Sequence, residues 1–184
     1  MLTIIMGRTC SGKSTIVKEL KKYGFHQILT TTTRPVRAGE IQDIDYHFTS
    51  EDDFLEKVKQ SYFVEYKTYN TEFGTWYYGL SREDIENAGE KDIVILTPDG
   101  YRDVVKEHPN LECRLVYIYA NNQTIKNRLM NRGDKKEEAE RRIKQDHEDF
   151  KGVENLADRI VYNNENDEFS DVVDKLRSYL EGNS

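Results

Sequence analysis

With 184 residues, 36% hydrophobic and 33% charged, the chain is long enough to bury one proper core and too apolar to be disordered. A formal charge of −7 excludes a protein that coats nucleic acid by bulk attraction, although a few converging arginines still hold phosphate on an acidic body. Only Cys10 and Cys113 occur, which excludes a disulfide scaffold and a cysteine zinc site. With no leader-like start and no membrane-length apolar run, a cytoplasmic protein without membrane partners is expected.

The chain opens on the apolar strand pattern Leu2-Thr3-Ile4-Ile5-Met6. Directly behind it stands Gly7-Arg8-Thr9-Cys10-Ser11-Gly12-Lys13-Ser14, which fits G-x-x-x-x-G-K-[ST] at every fixed position. Glycines at both ends let the backbone curl until several N–H groups face an anion. A helix pattern over 15–22 follows, so its positive end faces the same anion. Lys13 can then reach the outer phosphates of a nucleotide, and the Ser14 hydroxyl can ligate Mg²⁺. The nucleotide-binding residues expected from this run are Gly7, Arg8, Thr9, Cys10, Ser11, Gly12, Lys13, Ser14 and Thr15. Cys10 reads as a small side chain tolerated at an inner loop position.

Further strand patterns follow at 26–31, 62–69, 92–97, 114–119 and 158–162. Helix patterns cover 54–60, 85–88, 100–107, 122–131 and 169–181, the first two opened by capping arrangements at Ser50 and Ser81. This alternation predicts an α/β fold, a parallel sheet wrapped by helices, with ligands at the carboxyl ends of the strands. Two segments break the rhythm. Residues 30–79 crowd short strands, tyrosines and two arginines together and suggest an inserted substrate-binding module. Residues 133–152 are almost wholly charged and read equally as a solvated helix face or as a mobile lid. The remainder, 1–29, 80–132 and 153–184, forms the expected core of a single domain. His26, His47, His108 and His147 lack metal-ligand spacing, and Trp76 with Tyr77 reads as packing.

Thr31-Thr32-Thr33-Arg34-Pro35-Val36-Arg37-Ala38-Gly39-Glu40, with Asp45-Tyr46-His47-Phe48, resembles the acceptor segment of the guanylate kinase family. Phe63-Val64-Glu65, Tyr77-Tyr78-Gly79, Arg128-Leu129, Arg132-Gly133 and Arg141-Arg142-Ile143 follow in the family's order. The resemblance implies a P-loop NTPase-like core, a module for the nucleoside monophosphate, a helical lid, and transfer of a phosphoryl group from MgATP to GMP or dGMP. It assigns Thr30, Arg34, Arg37, Tyr46, Glu65, Tyr78 and Asp99 to the GMP site and Lys13, Arg34, Arg132 and Arg142 to the transferring phosphoryl group. The chemistry agrees with these roles. Guanidinium forks hold phosphate oxygens bidentately, and a carboxylate at Glu65 complements the N1–H and amino donors of guanine while repelling the acceptor edge of adenine.

Two positions depart from the family pattern: Leu80 stands where a small hydroxyl residue is usual, and Thr97 where an aspartate is. They leave open a related P-loop kinase with another acceptor, such as a second nucleoside monophosphate or a ribose phosphate. A non-catalytic interaction domain is disfavoured because Gly7, Gly12, Lys13 and Ser14 are all retained. The partners expected are ATP and GMP or dGMP, not nucleic acid, with a monomer or homodimer as the assembly.

Overall fold

The computed structural model describes residues 1–71 and 74–182. Its centre is a sheet of five parallel strands: β1 (Leu2–Met6), β2 (His26–Ile28), β7 (Asp92–Ile95), β8 (Cys113–Tyr119) and β9 (Arg159–Tyr162), in the order β2-β7-β1-β8-β9. Every residue of β1 is buried, because both faces of a parallel sheet are covered by helices. Side chains alternate across it: Leu2, Ile4 and Met6 join Leu115, Tyr117 and Phe150 on one face, while Ile5 joins Ile16, Val17, Val173 and Leu176 on the other. The second face is closed by α1 (Lys13–Leu20) and α7 (Phe169–Leu180), whose buried positions Val172, Val173, Leu176 and Leu180 follow the helical three-four spacing.

A second sheet, of order β4-β3-β6-β5, stands beside the first. It contains β3 (Thr31–Thr32), β4 (His47–Phe48), β5 (Phe63–Thr71) and β6 (Gly74–Ser81), with β5 and β6 antiparallel. The run 26–31, read from sequence as one strand, is divided between the two sheets: His26, Gln27 and Ile28 pair with β7, and Thr31 pairs with Gly79 of β6. One chain direction cannot serve both sheets, so the strand breaks at Leu29 and Thr30. Stacked Phe54 and Phe63, with ring centroids 4.5 Å apart, fix α2 (Glu51–Lys59) to the outer face of this module. Gly79 is obligatory there, since a Cβ on it would come within 2.7 Å of the Phe63 ring.

Helix boundaries moved where caps decided them. α3 spans Arg82–Glu86 rather than 85–88 because the Ser81 hydroxyl accepts from the Asp84 N–H. β7 stops at Ile95, and Thr97 becomes the N-cap of α4 (Pro98–Glu107), its hydroxyl accepting from the Gly100 N–H at 3.2 Å. Asn121 caps α5 (Asn122–Asn131) in the same way. The charged run resolves into α6 (Lys136–Asp149), which buries Ala139 against Ile125 and Leu129 of α5 and leans Ile143 on the same cluster. No helix among the described residues is long and apolar enough to cross a membrane.

Candidate active site

The loop between β1 and α1 has the curvature its glycines predict. A Cβ on Gly7 would lie 2.6 Å from both the Ile118 carbonyl and Ser11 Oγ, and one on Gly12 would lie 2.3 Å from Asn163 Nδ2. Gly12 also has φ of 97°, in the left-handed region that glycine enters without penalty. Cys10 is held there too, at φ 52°, and no thiol chemistry is needed to explain it: its carbonyl accepts from Arg128 at 3.1 Å. Asn163 Nδ2 donates to the Ser11 carbonyl at 2.8 Å, and its Oδ1 accepts from Arg128 at 3.4 Å. These two side chains thus hold the Cys10 and Ser11 carbonyls of the loop. Gly12 carries no side-chain cap for α1, so the first N–H groups of that helix stay available to an anion.

Lys13 crosses the loop mouth, donating to the Gly7 carbonyl at 2.6 Å and the Arg8 carbonyl at 2.9 Å. Burial pulls its pKa down to about 8, against the opposing pull of Asp146. Ser14 and Thr15 are exposed in the first turn of α1. Arg8 points elsewhere: it is buried, with its guanidinium on Asn122 Oδ1 at 2.6 Å and the Ala120 carbonyl at 2.5 Å. Its side chain therefore braces the start of α5, and only its backbone lies in the loop.

The second sheet and the loop after β3 carry the residues expected at the acceptor. Arg34 is 3% exposed and its side chain makes four hydrogen bonds: Nη1 and Nη2 grip Glu40 at 2.9 and 2.8 Å, Nη1 also donates to the Pro35 carbonyl, and Nε donates to Tyr78 Oη at 3.1 Å. Its guanidinium carbon also lies 5.2 Å from the ring centre of Tyr46 and 5.6 Å from that of Phe48. Arg37 remains exposed, its backbone N–H bound to Glu40. Crowding by neighbouring protein, which costs its charge some hydration even at the surface, and then the proximity of Arg34 lower its pKa, and Arg132 adds to that repulsion.

Arg132 and Arg142 share a different carboxylate, Asp134, with the charge of Arg37 nearby. Arg132 grips Asp134 at 2.8 and 3.1 Å, and Arg142 Nη1 approaches the same group at 3.3 Å while its Nε holds Glu138 at 2.7 Å. The Arg132 hydrogen bond, with Arg142 and Arg37 nearby, keeps the Asp134 carboxyl below the usual range. Arg132 and Arg142 thus hold one anion, with the charge of Arg37 near it and that of Arg34 near Arg37 and Arg132. Such crowding of like charge is tolerated only where an anion is held.

Glu65 stands in the buried first part of β5. It is 9% exposed, its Oε2 has no hydrogen-bond partner among the described residues, and burial pushes its pKa up to about 7. The carboxylate rests against Gly100, where a Cβ would stand 3.4 Å from Oε2, in ordinary contact. Tyr69 and Tyr78 pack edge to face at 5.4 Å beside it, and Tyr46 packs on Tyr78 at 6.3 Å. Leu80, opposite Glu65 in the β5–β6 pairing, is fully buried and offers no donor. Thr30 is partly buried and its carbonyl accepts from the His47 N–H. Asp99 is exposed in the first turn of α4 and paired with Arg102. A cavity of about 350 Å³ opens between β5, the start of α4 and α6, lined by Tyr69, Thr97, Asp99, Arg142, Asp146 and Asp149 among others.

The family model for guanylate kinase matches residues 1–183. The chain belongs to the guanylate kinase family. The guanylate kinase of Helicobacter pylori is 31% identical over 178 residues, covering 94% of this chain and 84% of its own length. That of Wolinella succinogenes is 32% identical over 168 residues, covering 87% of this chain and 75% of its own length, and that of Clostridium tetani is 31% identical over 184 residues. The crystal structure of guanylate kinase from Anaplasma phagocytophilum superposes with a TM-score of 0.70, covering 99% of this chain and 85% of that one. At 18% identity that likeness speaks for the fold alone.

Five residues of the site were not singled out as site residues from the sequence: Glu40, Arg128, Asp134, Asp146 and Asn163. Asn163 carried a usable signal, a polar residue at the carboxyl end of a parallel strand, beside the ligand edge expected for a guanylate kinase fold. Asp134 and Asp146 sit in a run of charges where no single carboxylate stands out.

Proposed function

We propose that this protein transfers the γ-phosphoryl group of ATP to GMP, giving ADP and GDP. The observation that carries the acceptor is Glu65: a buried carboxylate oxygen without a donor among the described residues, near Tyr69, which packs on Tyr78, the hydrogen-bond partner of Arg34. Guanine supplies what is missing, an N1–H and an amino group side by side. Adenine would set its N1 lone pair against the same oxygen and leave the charge unpaired. With Leu80 apolar and buried, discrimination between purines rests on Glu65.

In this reading the loop N–H groups and Lys13 hold the ATP phosphates, and Arg34, Arg37, Tyr46 and Tyr78 hold the phosphate of GMP. Arg132 and Arg142 neutralise the moving group. GMP displaces Glu40 from Arg34, and the moving phosphoryl group displaces Asp134 from Arg132 and Arg142, each exchange replacing a carboxylate with a phosphate. The acceptor phosphate is already ionised, so no general base is required, and alignment with charge neutralisation provides the catalysis. Closure of α6 over the cleft excludes water and protects ATP from hydrolysis. The exposed Ser14 hydroxyl, with no cluster of three or more His, Cys, Asp or Glu among the described residues, fits Mg²⁺ held mainly by phosphate oxygens and water. Bound there, Mg²⁺ would neutralise charge between the outer phosphates. Residues 30–79 act as the acceptor module and 133–152 as the lid of one domain.

Initial rates with GMP, dGMP, AMP, UMP and CMP as acceptors, each with MgATP, test the reading. A preference for GMP or dGMP that collapses in Glu65→Gln supports it. Equal rates on AMP and GMP, or no transfer to GMP, refute it.

A further inference from the structure

One contact in the loop belongs neither to its fold nor to the acceptor site. The Thr9 N–H donates to Asp146 Oδ2 at 2.5 Å, although 137 residues separate them and Asp146 belongs to the lid helix α6. The Arg8–Thr9 peptide is held from both sides, its carbonyl by Lys13 Nζ and its N–H by Asp146. Asp146 is only partly exposed; burial raises its pKa, and the Thr9 hydrogen bond and the charges of Lys13 and Arg8 work against that rise. A carboxylate therefore already sits on the outer limb of the loop, within the field of the lysine that reaches outward. The inner limb, the uncapped start of α1, is left alone.

That division separates two nucleotides. The inner phosphates of ATP or ADP belong to the start of α1, and the outermost phosphate of ATP belongs to the Lys13 end. We propose that Asp146 is a specificity-determining residue for the donor site: a lid carboxylate that occupies the place of the γ-phosphate and so discriminates against ATP relative to ADP. This rests on the phosphate loop being the ATP site. ADP binds with Asp146 still on Thr9, whereas ATP must displace it. Once the phosphoryl group has left, Asp146 returns to the vacated N–H. A lid arginine, Arg142, lies one helical turn away, so the helix that delivers positive charge to the transfer also carries the anion that fills its place afterwards.

The experiment is isothermal titration of the full chain with MgATP and, separately, MgADP, without any acceptor, for the parent, Asp146→Asn and Asp146→Ala. Asn keeps an acceptor oxygen for Thr9 without the charge; Ala removes both. Both variants are expected to tighten ATP about tenfold, the scale of one charge-assisted hydrogen bond, and ADP less than about twofold. Equal tightening of both nucleotides, no change, or weaker ATP binding in either variant overturns the proposal. Because no acceptor is present, a wrong assignment of GMP leaves this result intact. A parent protein that binds neither nucleotide would instead bring down the proposed function and this inference together.

Discussion

Glu65→Gln exchanges a functional strain for stability, and the size of that exchange follows from the site. Burial lifts the Glu65 pKa from 4.5 to about 7. Each unit corresponds to about 1.4 kcal/mol, so keeping Glu65 ionised in the empty fold costs roughly 3 kcal/mol relative to the unfolded chain. The sign is that of a raised carboxylate. Below about pH 4.5 both states are protonated and nothing is lost; between pH 4.5 and 7 the folded state binds the extra proton and stability falls as pH rises; above about pH 7 the loss is complete. Gln removes that charge without changing the shape. Thermal unfolding of the nucleotide-free protein should therefore show Glu65→Gln more stable at pH 8, by several degrees at about 2–4 °C per kcal/mol, and indistinguishable from the parent at pH 4.5. The same variant should lose about 10- to 100-fold in kcat/KM for GMP, because a charged acceptor is replaced by a neutral one. A gain in melting temperature that is the same at both pH values, or a loss at pH 8, would refute the assignment of an unpaired buried carboxylate.

Four other outcomes are expected. The parent's KM for GMP should rise about tenfold between pH 8 and pH 6 relative to Glu65→Gln, whose profile retains only the titration of the substrate phosphate; superimposable profiles would remove Glu65 from the base site. Lys13→Ala should lower GMP phosphorylation at least about 100-fold with the fold intact by circular dichroism, and an unchanged initial rate contradicts the phosphate-loop reading. Gly12→Ala, strained at φ 97° and driven into Asn163, should abolish stabilisation by ATP in a thermal shift assay, while retained stabilisation would mean the loop can relax around a side chain. Leu80→Ala empties a fully buried position and should cost about 2–5 kcal/mol in urea unfolding; a cost under about 1 kcal/mol would place Leu80 at the surface of the cleft rather than in the core.

The extent to which the site could be read from the chain varied with how local its chemistry is. The phosphate loop is contiguous, and its glycines, lysine and hydroxyl residue act through the backbone of one turn, so Gly7 to Ser14 state the geometry directly. The parallel sheet follows from strands alternating with helices, and β1, β8 and β9 lie within a residue of where their apolar runs put them. The acceptor residues were proposed through the family resemblance; what the structure adds is that Glu65 and Arg34 are both buried, Arg34 on Tyr78 and Glu65 with an unpartnered oxygen.

What tertiary structure alone decided is which charge answers which. Nothing in the run from Asp134 to Asp149 marks Asp134 as the carboxylate shared by Arg132 and Arg142, or Asp146 as the one that reaches Thr9. The division of 26–31 between two sheets, the saturation of Arg34 by Glu40 and the pinning of the loop by Asn163 and Arg128 likewise appear only once distant segments meet. The reason is physical. Backbone curvature and hydrophobic period are properties of neighbours in sequence, whereas an ion pair forms between whichever opposite charges the packed core leaves within reach, and a chain that is one-third charged offers many alternatives of nearly equal local merit.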